Sequence, residues 1–252
     1  MTIQDIVNHL AVFAPLETAF PSDNVGLLVG DAHAEVTGIL TALDCTADVV
    51  RLAAECGANL IVTHHPVIYR PLSAVLAGTY DGDRVIALNR AGVSVISMHT
   101  NMDRAEGGVN TAMAEALGLT NVALLPDGEG LGRMGELSLP MAEEAFLGHV
   151  KACLQVECVR YAKTGKTIRK VAVGGGSCGG YVSAAKAAGC DALVVGEVKH
   201  AQFCEALHLG ITLVDATHYA SENVVMPVLT AYLREVYANV KLARTENPVS
   251  FA

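Results

Sequence analysis

"VTGILTALDCTADVVRLAAECGANLIVTHH", Val36 to His65, holds the pattern from which the fold can be read. A β-branched run, "VTGILTALDCT", gives way to the Ala-rich "ADVVRLAAECG", and a second β-branched run, "ANLIVTHH", comes at once. That order spells strand, helix, strand, with Gly57 standing where a helix C-terminus favours glycine. The alternation recurs along the chain. "GVSVISMHTNMD", "KVAVGGG", "DALVVGE" and "GITLVDATHY" read as strands, and "DRVIALNRAG", "NTAMAEALGL", "YVSAAKAAG" and "HAQFCEALHLG" as helices. Near-continuous apolar strands need cover on both faces, which predicts an α/β protein with largely parallel sheets flanked by helices. The stretch "LLPDGEGLGRMGELSLP", Leu124 to Pro140, interrupts the alternation with turn residues. It sets the expected boundary between two lobes, 1–125 and 126–252.

The totals bound the function. The chain has 252 residues, 52% hydrophobic and only 17% charged. So low a charge fraction predicts apolar surface covered by subunit contacts, and hence an oligomer. No apolar run reaches the roughly 18 residues that a membrane span requires, and the start "MTIQDIVNHLAVF" carries an acid where a signal peptide is basic, so a soluble cytoplasmic protein is expected. A formal net charge of −9 opposes general attraction to a nucleic-acid backbone. The seven cysteines are scattered without a C-x-x-C, which fits small buried residues in a reducing compartment.

Open parallel sheets bind ligands beyond the carboxyl ends of their strands. In this chain those ends gather the unusual side chains: His64 and His65 after "LIVT", His99, Asn101 and Asp103 after "VSVISM", and His218 with Glu222 after "ITLVDAT". Successive side chains on a regular strand face opposite ways, so His64 and His65 share a site only where the strand has ended, and Pro66 marks that point. His218 and Glu222, spaced i and i+4, fall on one face of a helix that starts there. Each stretch alone also reads as a strand cap, a turn or a surface pair. Three such ends on one sheet edge point instead to a metal site. Imidazole with carboxylate suits zinc, manganese, iron or nickel, and five protein ligands exceed what one catalytic zinc takes, so two ions sharing a carboxylate fit the count.

A competing signal is "GGGSCG", Gly174 to Gly179, which matches a dinucleotide-binding turn after a strand, with Glu197 near the place of a ribose-binding acid. No second Rossmann half is evident, however, and a tight strand-to-helix turn accounts for the glycines. A milder expectation is that its backbone amides hold a substrate phosphate. A bulky residue at Gly176 would then weaken substrate binding and leave metal in place.

Taken together, "SDNVGLLVGD", "ALDCT", "ANLIVTHHPVIYRPL", "SMHTNMDRAEGGVN", "GRMGELSLP", "KVAVGGGSCG", "VVGEVKH" and "GITLVDATHYASEN" resemble the Nif3-like family of dinuclear metal-centre hexamers, often called type-2 GTP cyclohydrolase I homologues. The resemblance implies two interlinked α/β lobes with the metal site between them, assembled as a hexameric ring of dimers. It places His64 and Asp103 on one metal, His65 and His218 on the other, and Glu222 between the two. His99 and His200 lie in the same motifs and are expected to face substrate and move protons. Two departures stand out: Pro21 and Ser22 precede "DNVG" where the family commonly has an aromatic residue, and Thr217 precedes His218 where it commonly has glycine.

Two divalent cations bring about +4 and the two carboxylates about −2, leaving a positive centre that favours an anionic small-molecule substrate. Such a centre is equipped for hydrolysis of a nucleotide or another phosphate-bearing molecule, and the family label makes GTP the named candidate. A non-enzymatic metal-binding regulatory or interaction protein would carry the same fold and ligands. A DNA-binding ring would need a basic surface that 17 lysines and arginines are poorly able to supply.

Overall fold

A computed structural model of the chain, describing residues 1–251, divides into two compact units. The first begins with α1 (Ile3–Phe13), which Thr2 and Asp5 close with a reciprocal capping box and which buries Ile3, Ile6 and Leu10. It continues through β1 (Gly26–Val29), β2 (Ile39–Ala42), α2 (Ala47–Glu55), β3 (Leu60–Thr63), α3 (Tyr80–Ala91), β4 (Ser94–Ser97) and α4 (Thr100–Arg104). The second unit takes α5 (Val109–Ala116), β5 (Thr120–Leu124), β6 (Arg133–Ala142), α6 (Glu143–Leu154), β7 (Arg160–Ala162), β8 (Thr167–Gly174), α7 (Val182–Ala187), β9 (Ala192–Val195), α8 (His200–Leu209), β10 (Thr212–Asp215) and α9 (His218–Asn223). The chain then returns to the first unit through α10 (Val225–Arg234) and β11 (Val240–Leu242).

The first sheet runs β1-β4-β3-β2-β11, parallel throughout except for the β1–β4 pair at its edge. Its interior strands β2, β3 and β4 are buried at every residue, which is why their sequences read as unbroken apolar runs. Leu40, Ile61 and Val95 from these strands pack with Val49 and Ala53 of α2 and Leu88 of α3 in one core. The second sheet runs β5-β6-β8-β9-β10-β7. Its centre, β8-β9-β10, is parallel, whereas β5, β6 and β7 join antiparallel. The α/β class therefore holds, and the largely parallel character holds fully in the first sheet only. Phe146, Val150 and Leu154 of α6 cover one face of the second sheet together with Met113 of α5.

The expected boundary at 125/126 falls elsewhere in the structure. Leu125 N–H donates to Gly132 O at 2.9 Å, so the Gly- and Asp-rich segment closes the turn between the antiparallel β5 and β6. The chain passes between units at Glu106/Gly107 instead, and Met226–Glu246 belongs to the first unit because β11 completes its sheet beside β2. Among the described residues no helix is long and apolar enough to cross a membrane. None of the seven cysteines forms a disulfide among the described residues; Cys45, Cys178 and Cys190 are buried as expected, while Cys204 on α8 is exposed.

Candidate metal centre

In the first unit, the register of β3 against β4 sets Thr63 opposite Ser97, so the residues beyond the two strand ends meet at one edge. Thr63 and Ser97 hydroxyls lie 2.9 Å apart, and Met98 N–H donates to Thr63 O at 2.8 Å. Directly beyond them His64 is fully buried, and its Nδ1 lies 2.9 Å from Met98 O. His65 leaves the strand line, with its N–H on Leu43 O at 3.0 Å and its Nδ1 2.8 Å from the Asp44 carboxylate. The two ring planes diverge by 49° with centroids 4.9 Å apart, the splay that the strand end and Pro66 predict. His99 caps α4, and its Nδ1 lies 2.8 Å from Asp23 Oδ1. Its ring stands 5.2 Å from that of His64 and 5.9 Å from that of His65. Asp103, one turn into α4 and buried, brings Oδ1 to 3.7 Å from His64 Nε2.

In the second unit, β10 delivers His218 as the first residue of α9, and Glu222 comes one turn later. Their Nε2 and Oε2 atoms are 3.1 Å apart, and Glu222 is buried. His218 Nδ1 lies 3.2 Å from Glu197, which Ser177 also holds by an Oγ–H donated at 2.7 Å. Those two hydrogen bonds keep the Glu197 carboxyl below its ordinary range. Asp23 behaves similarly: burial alone would raise it, but hydrogen bonds from His99 and Thr100 outweigh burial and hold it well below the usual carboxylate range.

Each of these four imidazoles thus faces an acceptor with Nδ1: a carbonyl for His64 and a carboxylate for His65, His99 and His218. An acceptor there requires the proton on Nδ1 and leaves the lone pair on Nε2, which is how metal-binding histidines are oriented. One ring nitrogen from each of His64, His65 and His99 lies within 4.8 Å of the others, a grouping able to hold a metal ion. Imidazole nitrogens with buried carboxylate oxygens are a donor set that fits zinc or a first-row transition metal.

The "GGGSCG" stretch is a tight strand-to-helix turn after β8, and two of its amides bond within the protein. Gly175 N–H is taken by Asn110 Oδ1 at 2.7 Å and Gly176 N–H by Ser221 Oγ at 3.0 Å, so neither amide is left for a phosphate. A 3-10 turn, Cys178–Tyr181, leads from the glycines straight into the six-residue α7, and Glu197 is occupied by Ser177 and His218. At Gly176, whose φ is +62°, a Cβ would stand 2.2 Å from Glu222 Oε1 and 3.2 Å from His218 Nε2. The turn packs against the side chains of α9, so a residue larger than glycine strikes the candidate ligands directly. This reverses the expectation that a bulky residue at Gly176 would leave metal in place.

Thr217, where the family commonly has glycine, takes an unusual backbone conformation. Its φ of 71° and ψ of 146° lie in a region that is essentially reserved for glycine, and a β-branched residue there is strained. The Thr217 hydroxyl accepts from Ala220 N–H at 3.4 Å and from Asn247 Nδ2 at 3.3 Å. His200 opens α8 exposed to solvent, with Nε2 3.5 Å from Cys204 Sγ one turn along, and it joins no metal-capable group among the described residues. Sequence reasoning passed over Asp23 and Asp44 and gave Glu197 another task. Both aspartates stood inside quoted motifs, "SDNVG" and "ALDCT", but nothing in their spacing says which histidine they would meet.

Comparison with known proteins shows the family of the chain. The family model described as Duf34/NIF3 (NGG1p interacting factor 3) matches residues 1–248. The chain is 34% identical over 241 residues to the GTP cyclohydrolase 1 type 2 homolog of Clostridium perfringens, covering 93% of this chain and 92% of that one. The homolog of the same name from Lactococcus lactis is 32% identical over 250 residues, covering 98% and 96%. The crystal structure of the Staphylococcus aureus hypothetical protein SA1388 superposes with a TM-score of 0.92 at 30% identity, over 100% of this chain and 99% of that chain. The chain belongs to the Duf34/NIF3 family.

Proposed function

We propose that the chain is a hydrolase dependent on two divalent cations and acting on a nucleotide or another phosphate-bearing small molecule. His64 and Asp103 would hold one ion, His65 and His218 the other, with Glu222 shared. The observation that carries this reading is the uniform orientation of the imidazoles, each with Nδ1 on an acceptor. The names of the relatives, GTP cyclohydrolase 1 type 2 homolog, support GTP as the first substrate to try. Divalent cations held by these residues would supply Lewis acidity and lower the pKa of water to near neutrality.

The chain's own residues supply positioning and proton transfer. Asp44 fixes the ring of His65, Glu197 that of His218, and the Met98 carbonyl that of His64. His99 would take a proton at Nε2, its ring held from behind by Asp23 at Nδ1. His200 is the lesser candidate for that task, its Nε2 facing Cys204. The reading extends to a cytoplasmic homohexamer. Free cysteines support the compartment, and the exposed apolar Val122, Leu124 and Leu139 on β5 and β6 support subunit contact.

The test is metal analysis of protein purified without chelator, followed by assays on GTP and a panel of phosphate esters. His65→Ala and Glu222→Ala should each lose metal and abolish turnover. A fully loaded protein that leaves GTP and every ester intact would overturn the hydrolase and leave a metal-binding regulatory protein.

A further inference from the structure

The first unit contains a cavity of about 470 Å³ whose wall includes His65, Tyr69, Arg70, Tyr80 and Arg84. We infer that this cavity is the subsite for a mononucleotide, with Tyr69 stacking on the planar base and Arg70 pairing with the phosphate; the inference rests on His65 being a ligand of the proposed centre.

Position is the first support. His65 forms part of the cavity wall, and Tyr69 meets the ring of His99 edge-on at 5.9 Å and 85°. The tyrosine therefore stands between the histidine cluster and the cavity, with 49% of its surface exposed. Charge is the second support. Arg84 is buried, paired with Asp81 and stacked 4.0 Å over Tyr80, so its charge is already neutralised. Asp44 is likewise engaged with His65. Arg70 differs: it is exposed, lies 5.7 Å from the Tyr69 ring centroid, and forms no ion pair among the described residues. It is the cation of the cavity left to meet an anion, and a guanidinium matches a phosphate with two parallel hydrogen bonds.

Size is the third support. Small-molecule sites occupy roughly 300 to 1,000 Å³, and a cavity of this volume admits a base with its sugar and one phosphate while exceeding what bare phosphate fills. An aromatic ring half exposed beside an arginine is the pairing that binds a base by its face and an anion by its charge.

Calorimetric titration of the metal-loaded protein with three probes tests this: GMP, guanosine and inorganic phosphate. Tyr69→Leu should weaken GMP and guanosine about tenfold, and Tyr69→Phe should restore both. Arg70→Ala should weaken GMP about tenfold and leave guanosine unchanged. Metal content should stay at the wild-type level in all three variants. Wild-type protein that fails to bind GMP at millimolar concentration, or variants that bind it as the wild type does, would overturn the subsite. Its failure is separable from that of the hydrolase reading. Nucleotide turnover with unaltered KM in Tyr69→Leu and Arg70→Ala would remove the subsite and keep the enzyme, while the expected binding pattern without turnover would remove the enzyme and keep the subsite.

Discussion

Gly176→Ala turns the geometry of the proposed centre into a measurable loss. The new Cβ would lie 2.2 Å from Glu222 Oε1, and ordinary contact begins at 3.4 Å, so the carboxylate oxygen must retreat by about 1.2 Å. Metal–ligand distances tolerate only about 0.2 Å, so a retreat of that size takes Glu222 out of coordination. The backbone contributes separately, because alanine at φ +62° costs roughly 1 to 2 kcal/mol. Gly57 supplies the control: its φ is +73°, and nothing lies within 4 Å of where its Cβ would be. Gly57→Ala should therefore show the same backbone cost, lowering the melting temperature by a few degrees, about 2 to 4 °C per kcal/mol in a domain of this size. It should keep its metal. Gly176→Ala should lose at least tenfold in metal affinity, since disturbing even the groups behind metal ligands commonly costs about 10- to 100-fold. The assay is elemental analysis of both purified variants with a competitive chelator titration. A folded Gly176→Ala protein with wild-type metal content and affinity would refute the placement of Glu222 among the ligands.

Three further predictions are independent of that one. Thr217→Gly should stabilise the metal-stripped protein by about 1 kcal/mol, because relief of roughly 1 to 3 kcal/mol of strain exceeds the entropy of glycine and a weak cap; a lower melting temperature would contradict the strain. Asp44→Ala should weaken metal binding about 10- to 100-fold while leaving the fold intact, read by chelator competition, because Asp44 orients His65; unchanged affinity would show the hydrogen bond to be incidental. Glu143 is buried and accepts four hydrogen bonds, from Thr164 N–H and Oγ–H, Gly165 N–H and Thr212 Oγ–H. Burial opposes its ionisation, but these bonds prevail and hold it below its ordinary value of 4.5. The stability it contributes is complete above that value and fades as pH falls through the lower folded value. Glu143→Ala should cost about 2 to 4 kcal/mol at neutral pH by denaturant titration, and less in acid. An equal loss at both pH values would refute the linkage.

The six strands read from the sequence sit where their apolar runs lie, and so do the five helices, because β2, β3, β4, β9 and β10 are buried at every residue and burial writes itself into composition. β5 escaped because all five of its residues are exposed at a sheet edge, and β7 and β11 because three residues carry no period. Local pattern was likewise enough to put His64, His65, His99, Asp103, His218 and Glu222 just beyond strand ends, since strand and turn chemistry act over a few residues. The acceptor behind each ring is a matter of packing in three dimensions. Asp23 reaches His99 across 76 positions, Asp44 reaches His65 across 21, and Glu197 turns from a ribose acid into the partner of His218. The glycines after β8 were visible, yet the reason for them was not: it is the 2.2 Å between an absent methyl group and Glu222, a distance set by packing between segments that no spacing along the chain encodes.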